Sequence, residues 1–412
     1  MPPIPAATPV VLDPATTAFL ILDITSSNCT QQSRPACVAS VPAISALLKK
    51  ARDAKAAVVY SSITTPGTTI LPEVAPQSGE PIVTASADKF DGTDLDNILK
   101  QKNVTKLLMV GTAANGAVLY SAYAANARGY TVAVAEDGIS TTAPFDTVLT
   151  QYLLLHEPGG ANADNKPLPN RSVTLTRSDL VTFGASAPPA TAAASAAAKP
   201  SAAAASGAAA SAAGVVSSGA AASPKPAASG EGTPVPAIPA AAAVSLDAKT
   251  TAFLVLDINS AACQGLPDCL ATVPTISSLL QKARDAQAPV IYSTTPNATI
   301  LPDVAPRGDE PTVTSSANKF YNTNLADLLK QKQVTTVLVV GTFANGAVMY
   351  TSLPATVRGY TVAVAEDGLS SAAPIDTVLT RYQLLRFPPN TDNKPLADKA
   401  VTLTRSDLVT FK

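Results

Sequence analysis

The sequence is poor in the residues that most often carry enzyme chemistry or bind charged polymers. Its 412 residues include one histidine, four cysteines and no tryptophan, and only 14% are charged, with a formal net charge of -1. Without a basic excess or a Lys/Arg cluster, neither nucleic acid nor an anionic membrane surface is an expected partner. No apolar run has the length of a membrane span, so a membrane protein is not expected.

The single histidine restricts the possible chemistry further. A Ser-His-Asp site could occur only once, and a zinc site of the Cys/His kind would lack histidines, so no metal and no cofactor is expected. His156 lies in "LLLHEPGG", whose second copy reads "LLRFPPN" with Arg386 in its place. We therefore interpret His156 as a surface or packing residue.

The most prominent feature of the sequence is an internal repeat. "AFLILDI" returns as "AFLVLDI", "RGYTVAVAEDG" returns unchanged, and "TLTRSDLVTF" closes both copies, with a period of about 230 residues. This period is far longer than that of solenoid repeats, so it indicates a duplicated domain. We predict a tail at 1–13, domains at 14–185 and 246–412, and between them, at 186–245, an Ala/Ser/Pro-rich linker that is disordered.

Each copy alternates apolar strand-like runs with helical patterns. "AFLILDI" is apolar throughout, as in a strand buried on both faces, and "VPAISALLKKARDAKA" has helical spacing. The alternation predicts two doubly wound, three-layer α/β domains with parallel sheets. Ligands bind such sheets beyond the carboxyl ends of the strands, where Asp23, the segment 112–115 and Asp137 are expected.

Several motifs occur in order, and occur twice: "KFDGTDLDNIL", "VGTAANGAV" and "RGYTVAVAEDG" in the first copy. On these motifs each copy resembles an isochorismatase-like domain of the cysteine hydrolase superfamily over roughly 160 residues. The resemblance implies a catalytic Asp, Lys and Cys. The Asp matches Asp23 and Asp257, the lysine positions are expected at Thr84 and Thr314, and the cysteine positions are Ala117 and Ala347.

An alanine methyl group cannot attack a carbonyl, so the resemblance breaks at the nucleophile in both copies. Because threonine stands at the expected lysine positions, one of the three catalytic residues survives in each copy, and Asp23 lacks a cation that would lower its pKa. Lys89 and Lys319 lie five residues from the expected lysine positions. In an extended segment they would point to the opposite face, so we do not expect them in the site.

The resemblance also implies a set of pocket residues. Thr25 and Asn259 stand where the family usually has Gln. The family's turn before the catalytic helix, with backbone amides facing the pocket, matches Gly111 and Gly116 and, in the second copy, Gly341 and Gly346. Close strand–helix packing would also explain Gly111. Asn115 and Asn345 are expected either to point into the crevice or to cap the helix.

Two cysteines occupy the loop after the Asp-bearing strand in each copy. Cys29 and Cys37 form one pair, and Cys263 and Cys269 the other. A local disulfide in each loop is favoured over free thiols, a relocated nucleophile or a metal site. The first residues lack the basic and apolar regions of a secretory signal, so the cytoplasm is the default expectation; disulfides would favour a periplasmic or secreted protein.

Two functions fit these residues. The first is a module without cysteine-hydrolase chemistry that binds a small molecule or assembles. An anionic ligand is compatible with the partial positive charge of the helix N-terminus beside Ala117. The second is a hydrolase of a small metabolite, such as a vinyl ether, with Asp23 and Asp257 as general acids. A purely structural role, ordering the loop after the strand, is the alternative for each Asp.

The two domains are expected to pair with each other, or with other copies of the chain.

Overall fold

The first α/β domain lies within the part of the chain that the computed structural model describes, residues 1–184 and 232–412. Its six-stranded sheet is parallel throughout and carries helices on both faces. Its elements are β1 (Val10–Leu12), β2 (Thr17–Leu22), α1 (Pro35–Asp53), β3 (Ala57–Ser62), β4 (Ile82–Thr84), α2 (Leu95–Gln101), β5 (Lys106–Thr112), α3 (Leu119–Ala127), β6 (Thr131–Ser140), α4 (Pro144–Leu155), β7 (Val173–Thr176) and β8 (Val181–Phe183).

The second domain repeats this design, so the predicted pair of doubly wound α/β domains is confirmed. Its elements are β9 (Val244–Leu246), β10 (Thr251–Leu256), α5 (Ser260–Cys263), α6 (Pro267–Asp285), β11 (Val290–Thr294), β12 (Thr312–Thr314), α7 (Leu325–Gln331), β13 (Thr336–Thr342), α8 (Met349–Val357), β14 (Thr361–Ser370), α9 (Pro374–Arg386), β15 (Val401–Thr404) and β16 (Val409–Phe411).

The strand order places the crevice between two central strands. The sheets run β4-β3-β2-β5-β6-β7 and β12-β11-β10-β13-β14-β15. The continuous apolar run of β2 is buried along its whole length, because helices cover both faces of the sheet. The chain winds in one direction after β2 and in the other after β5, so the carboxyl ends of these two strands form the switch point.

The ends of the repeat are more ordered than the sequence indicates. In the predicted tail, Leu12 is fully buried in β1, which pairs with β8. Most of the predicted linker, 186–231, lies outside the described residues. Its last part does not fit the prediction of disorder, because β9 pairs with β16 and the boundary at 246 falls inside β9. None of the helices in the described ranges has the length and apolarity of a membrane span.

The two domains pack against each other through equivalent helices. The rings of Tyr123 and Tyr350, on α3 and α8, stack with centroids 3.8 Å apart. Tyr152 on α4 donates a hydrogen bond to Asp376 at 2.9 Å, and Tyr382 on α9 donates to Asp146 at 3.1 Å. Since each domain gives the other the same bond, the contact is a pseudo-twofold one. Association between separate chains stays a prediction.

Candidate functional site

The Asp that ends the first strand is held in the same unusual way in both domains. Asp23 and Asp257 have φ angles of 56° and 55°, a left-handed conformation that costs a non-glycine residue about 1 kcal/mol. Both side chains are buried, and each accepts a hydrogen bond from a serine of the neighbouring strand, Ser61 at 2.7 Å and Ser293 at 2.8 Å. Such backbone strain is concentrated at functional sites, which makes this carboxyl a candidate functional group.

A buried lysine completes the pair, and here the sequence-based prediction was wrong. Lys89 Nζ lies 2.7 Å from Asp23 Oδ2, and Lys319 Nζ lies 2.6 Å from Asp257 Oδ2. Neither lysine side chain is exposed to solvent. The sequence argument assumed an extended segment, but the chain turns after Thr84, the last residue of β4, so side-chain alternation along a strand does not apply.

Thr84 and Thr314, where the resemblance implied the lysine, therefore do not provide the cation beside the Asp. Each ends an edge strand of its sheet, and its side chain is exposed. The signal that could have found the lysine was in the sequence: Lys89 and Lys319 come directly before the phenylalanine of the repeated "KF" element. Each copy thus retains two of the three residues that the resemblance implies.

Burial sets the electrostatics of the pair. It raises the pKa of Asp23 above the usual value, an effect opposed by the charge and hydrogen bond of Lys89 and by the bond from Ser61. Burial also lowers the pKa of Lys89, against the attraction of Asp23. The same directions hold for the pKa values of Asp257 and Lys319. A carboxyl of this kind can hold a proton for transfer at a higher pH than an exposed aspartate can.

The ammonium group of Lys89 has no donor left for a ligand. Besides Asp23 it donates to the carbonyl of Ala85 at 3.0 Å and to the carbonyl of Ser86. An ammonium group has three N–H donors, so this set is complete. Lys89 thus positions Asp23 and balances its charge, and any further recognition must come from other side chains.

Ala117 lies where the resemblance implies the nucleophile. The peptide bond between Thr112 and Ala113 is cis, and the chain continues in a π-helical turn, Ala114–Val118, that leads into α3. Ala347 lies in the equivalent turn, Ala344–Val348. The amide of Gly116 donates to the carbonyl of Ala113 at 3.0 Å, so this amide is not free to bind a ligand.

A cavity of about 280 Å³ joins Asp23 and Ala117 in the first domain. Its polar lining includes Asn28, Arg34 and Thr112, and its apolar lining includes Ile63, Ala113 and Phe387. This volume holds a small metabolite, and its mixture of apolar walls and a few polar groups is typical of a ligand site. Arg34 and Phe387 were both missed by the sequence analysis.

Arg34 reaches the cavity from the loop that the first disulfide closes. Cys29 is joined to Cys37, and Cys263 to Cys269 in the second domain. Arg34 lies inside the first loop, immediately before α1, and its Nη1 donates to Thr112 Oγ1 at 3.0 Å. A basic residue between two cysteines, with leucine at the equivalent position of the second copy, was the available sequence signal.

Phe387 belongs to the second domain and follows α9, yet it lines the cavity of the first. A Cβ atom added to Gly116 would lie 2.7 Å from its ring, so Gly116 leaves the space that this ring needs. No sequence signal within the first copy could show this, because the contact depends on how the two domains pair.

The equivalent site of the second domain differs at three of these positions. Leu266 precedes α6 where Arg34 precedes α1, and Phe343 precedes the π-helical turn where Ala113 does. Glu157 of the first domain stands at the position that Phe387 has in the second, followed in both copies by proline. The carboxyl of Glu157 is buried and accepts a hydrogen bond from Asn126 at 2.9 Å.

Of the other residues predicted for the pocket, Thr25 and Asn259 order the loop after the Asp. Thr25 Oγ1 lies 3.3 Å from Ser27 Oγ, and Asn259 caps α5 by accepting from the amides of Ala261 and Ala262. Gly111 and Gly341 permit close strand packing, because an added Cβ would lie 2.5 and 2.4 Å from the carbonyl oxygens of the neighbouring strands.

Asn115 and Asn345 serve the contact between the domains. The carbonyl of Asn115 accepts from Gln383 Nε2 at 2.7 Å, and Asn345 Nδ2 donates to the carbonyl of His156 at 3.1 Å. Gly346 lies close to Pro158 of the first domain, as Gly116 lies close to Phe387. His156 stacks on the ring of Tyr152 with centroids 3.8 Å apart, which supports the interpretation that it is a packing residue.

Comparison with known proteins identifies a family for both domains. The model of the isochorismatase domain matches residues 17–150 and 251–380. The secreted isochorismatase effector Isc1 of Verticillium dahliae (strain VdLs.17) is 36% identical over 113 residues, which are 24% of this chain and 60% of that relative. The chain thus spans less than two thirds of this relative's length.

Two solved structures similar to the chain are a cysteine hydrolase from Pseudomonas syringae pv. phaseolicola 1448A and a putative isochorismatase hydrolase from Oleispira antarctica. The first is 19% identical, with 43% of this chain and 94% of that chain covered and a TM-score of 0.36. The second is 23% identical, with 40% and 95% covered and a TM-score of 0.34. The two matched regions of the family model include both Asp–Lys pairs and both alanine positions, and the chain belongs to the isochorismatase family.

Proposed function

We propose that the chain is a hydrolase of a small metabolite that uses Asp23 as a general acid and needs no cysteine nucleophile. The observation that carries this proposal is the buried Asp23–Lys89 pair, with Nζ and Oδ2 2.7 Å apart, beside a cavity lined by Ala117, where the family resemblance implies a nucleophile. A reaction that begins with proton transfer rather than nucleophilic attack fits these residues.

Hydrolysis of a vinyl ether is such a reaction. Asp23 transfers its proton to the β-carbon of the double bond, which leaves an oxocarbenium ion and an Asp23 carboxylate. Water adds to the cation and returns a proton to the carboxylate, and the resulting hemiacetal or hemiketal separates into a carbonyl compound and an alcohol. Lys89 stabilises the carboxylate that forms when the proton leaves.

The test compares Asp23→Asn with Asp257→Asn in turnover of a panel of small vinyl ethers. Asparagine keeps the shape of the side chain but has no carboxyl proton. We expect Asp23→Asn to lower kcat by roughly 10²–10⁴-fold, the range for loss of a general acid. Circular dichroism and thermal melting check that both variants fold. Turnover by Asp23→Asn at the unsubstituted rate would contradict the proposal.

The pH dependence provides a second readout. The general acid acts only while it is protonated, so the rate should fall as the pH rises through the pKa of Asp23. Because burial raises that pKa, the fall should lie above the range of an exposed aspartate. A rate that falls only in the range of an exposed aspartate would contradict a raised pKa.

A binding or assembly module without catalysis is the second candidate. It is supported by alanine, in a chain with one histidine, at both positions where the family resemblance implies a nucleophile, Ala117 and Ala347. The same panel separates the candidates, since a binding module gives saturable binding without product. Such a result with folded protein would favour the module.

We also propose an oxidising compartment for the chain. Both cysteine pairs form disulfides, and Isc1, its relative, is described as secreted. Mass spectrometry of unreduced protein from the native source should find both pairs linked. Four thiols that react with iodoacetamide in freshly isolated native protein would contradict this location.

A further inference from the structure

We infer that only the first domain carries a carboxylate-binding site, in which Arg34 binds the carboxylate of a small monoanion and Phe387 of the second domain covers its apolar body. The inference deepens the proposed function, on which it rests for the identity of the reacting group. It specifies the chemical class of the ligand and the domain that binds it. Four observations carry it: the donors of Arg34, the charge of the cavity, its apolar walls and the substitutions in the second domain.

Arg34 has donors that the protein does not use. Its Nη1 is fixed by Thr112 Oγ1 at 3.0 Å, while its Nε is buried and has no hydrogen-bond partner among the described residues. A guanidinium group presents its N–H donors as a planar fork that matches the two oxygens of a carboxylate. The disulfide between Cys29 and Cys37 and the bond to Thr112 hold this fork at the wall of the cavity.

The charge of the cavity favours one negative group. When the Asp23–Lys89 pair is ionised, its charges balance and Arg34 leaves a net charge of about +1 at the cavity, by formal charges at neutral pH. The proton that Asp23 carries for catalysis adds one more positive charge, so an anion is favoured in both states. Lys89 is saturated by Asp23 and two carbonyls, so among the described residues at the cavity Arg34 is the cation that remains able to bind a ligand. A monoanion neutralises this charge without leaving a second buried charge unpaired.

The rest of the cavity favours an apolar body. Ile63, Ala113 and Ala117 of the first domain and the ring of Phe387 form its apolar walls, and its volume is about 280 Å³. This space suits a small molecule with a single carboxylate. The reactive bond would lie between Arg34 and Asp23, near Ala117.

The second domain lacks each part of this arrangement. The position before α6 is Leu266, which cannot pair with a carboxylate, and no arginine acts on the pKa of Asp257 as Arg34 does on that of Asp23. Phe343 replaces the small wall residue Ala113, and Pro158 rather than an aromatic ring lies against Gly346, the counterpart of Gly116. The loss of the guanidinium group and the bulky ring of Phe343 both oppose binding of a carboxylate there.

The test measures binding of benzoate and of its neutral analogue benzamide by calorimetry and by ligand-observed NMR. The variants are Arg34→Leu, which introduces the residue that the second domain has, and Leu266→Ala as the matched control. We expect Arg34→Leu to weaken benzoate binding by roughly tenfold to a hundredfold, the effect of a charge-assisted pair, and to leave benzamide binding unchanged. Leu266→Ala should change neither.

Three results would overturn the inference: no benzoate binding at millimolar concentration, equal affinity for benzoate and benzamide, or equal effects of Arg34→Leu and Leu266→Ala. These outcomes are separable from failure of the proposed hydrolase. Arg34-dependent binding of benzoate without turnover of any vinyl ether would support the site and contradict catalysis. Turnover that depends on Asp23 but not on Arg34 would support catalysis and contradict the carboxylate site.

Discussion

The two domains are alike where the Asp is held and different where a ligand would be recognised. Both contain the left-handed Asp, its serine partner and a lysine that is fully buried. They differ at Arg34 against Leu266, at Ala113 against Phe343 and at Phe387 against Glu157. The comparison shows that the same Asp–Lys pair is kept in both domains while the residues around it change.

The differing residues come from segments whose sequence the sheet does not restrict. Arg34 lies in a disulfide-closed loop, and Phe387 lies after the last helix of the opposite domain. Because Phe387 crosses to the first domain, that cavity is built by both copies. The second domain thus contributes to the site of the first, whatever its own site binds.

The largest effect on stability is expected from removing the buried lysine that both domains contain. Lys89→Met leaves the Asp23 carboxylate buried without its cation, so we expect a loss of about 3–5 kcal/mol in the free energy of unfolding. Lys319→Met should cost a similar amount, since its pair has nearly the same distance, 2.6 against 2.7 Å. Denaturant unfolding measures both. A loss below about 1 kcal/mol in either variant would mean that the pair is not buried as described.

The next largest effect is a pH dependence of stability caused by Glu157, whose counterpart in the second domain is Phe387. Burial raises the pKa of Glu157 to about 8, above its value in the unfolded chain. The folded state therefore keeps a proton that the unfolded state loses, so stability is full at acid pH and falls as the pH rises towards 8. We expect a loss on the order of a few kcal/mol across this range.

Glu157→Gln should remove this pH dependence, because an amide does not titrate in the range. Melting temperatures at matched pH values measure it, with the unsubstituted protein as the control. If both proteins show the same decline in stability between pH 5 and 8, roughly the span between the two pKa values, Glu157 is not its source.

A smaller effect concerns the space beside each π-helical turn. Gly116→Ala places a methyl group 2.7 Å from the Phe387 ring, whereas Gly346→Ala places one 3.0 Å from Pro158 Cγ. We expect Gly116→Ala to destabilise the contact between the domains by about 1–3 kcal/mol, the usual cost of overpacking, and Gly346→Ala by less. Phe387→Ala should suppress the first effect. Equal losses in the two single variants would contradict the difference between the sites.

The smallest effect on stability is expected from restoring the thiol. Since Lys89 already pairs with Asp23, Ala117→Cys completes the Asp, Lys and Cys set that the family resemblance implies. We expect it to be alkylated by iodoacetamide faster than Ala347→Cys, because the cavity lined by Ala117 admits the reagent. Mass spectrometry of the intact protein measures both rates. Faster labelling of Ala347→Cys would contradict the view that the more accessible cavity lies in the first domain.

Much of the fold was predictable from the sequence, since buried strands such as β2 are continuous apolar runs and the repeat appears twice. The position of Asp23 followed from the end of that run. The lysine was missed because its placement depends on turns after β4 that a strand pattern does not encode. Phe387 was missed because a residue of one domain reaches the cavity of the other only through tertiary packing.

The number of ligands bound per chain tests the central claim most directly. We expect calorimetric titration with benzoate to give one site per 412-residue chain, lost in Arg34→Leu and kept in Leu266→Ala. Two equivalent sites per chain, or one site that survives Arg34→Leu, would show that the domains do not differ in the way described here.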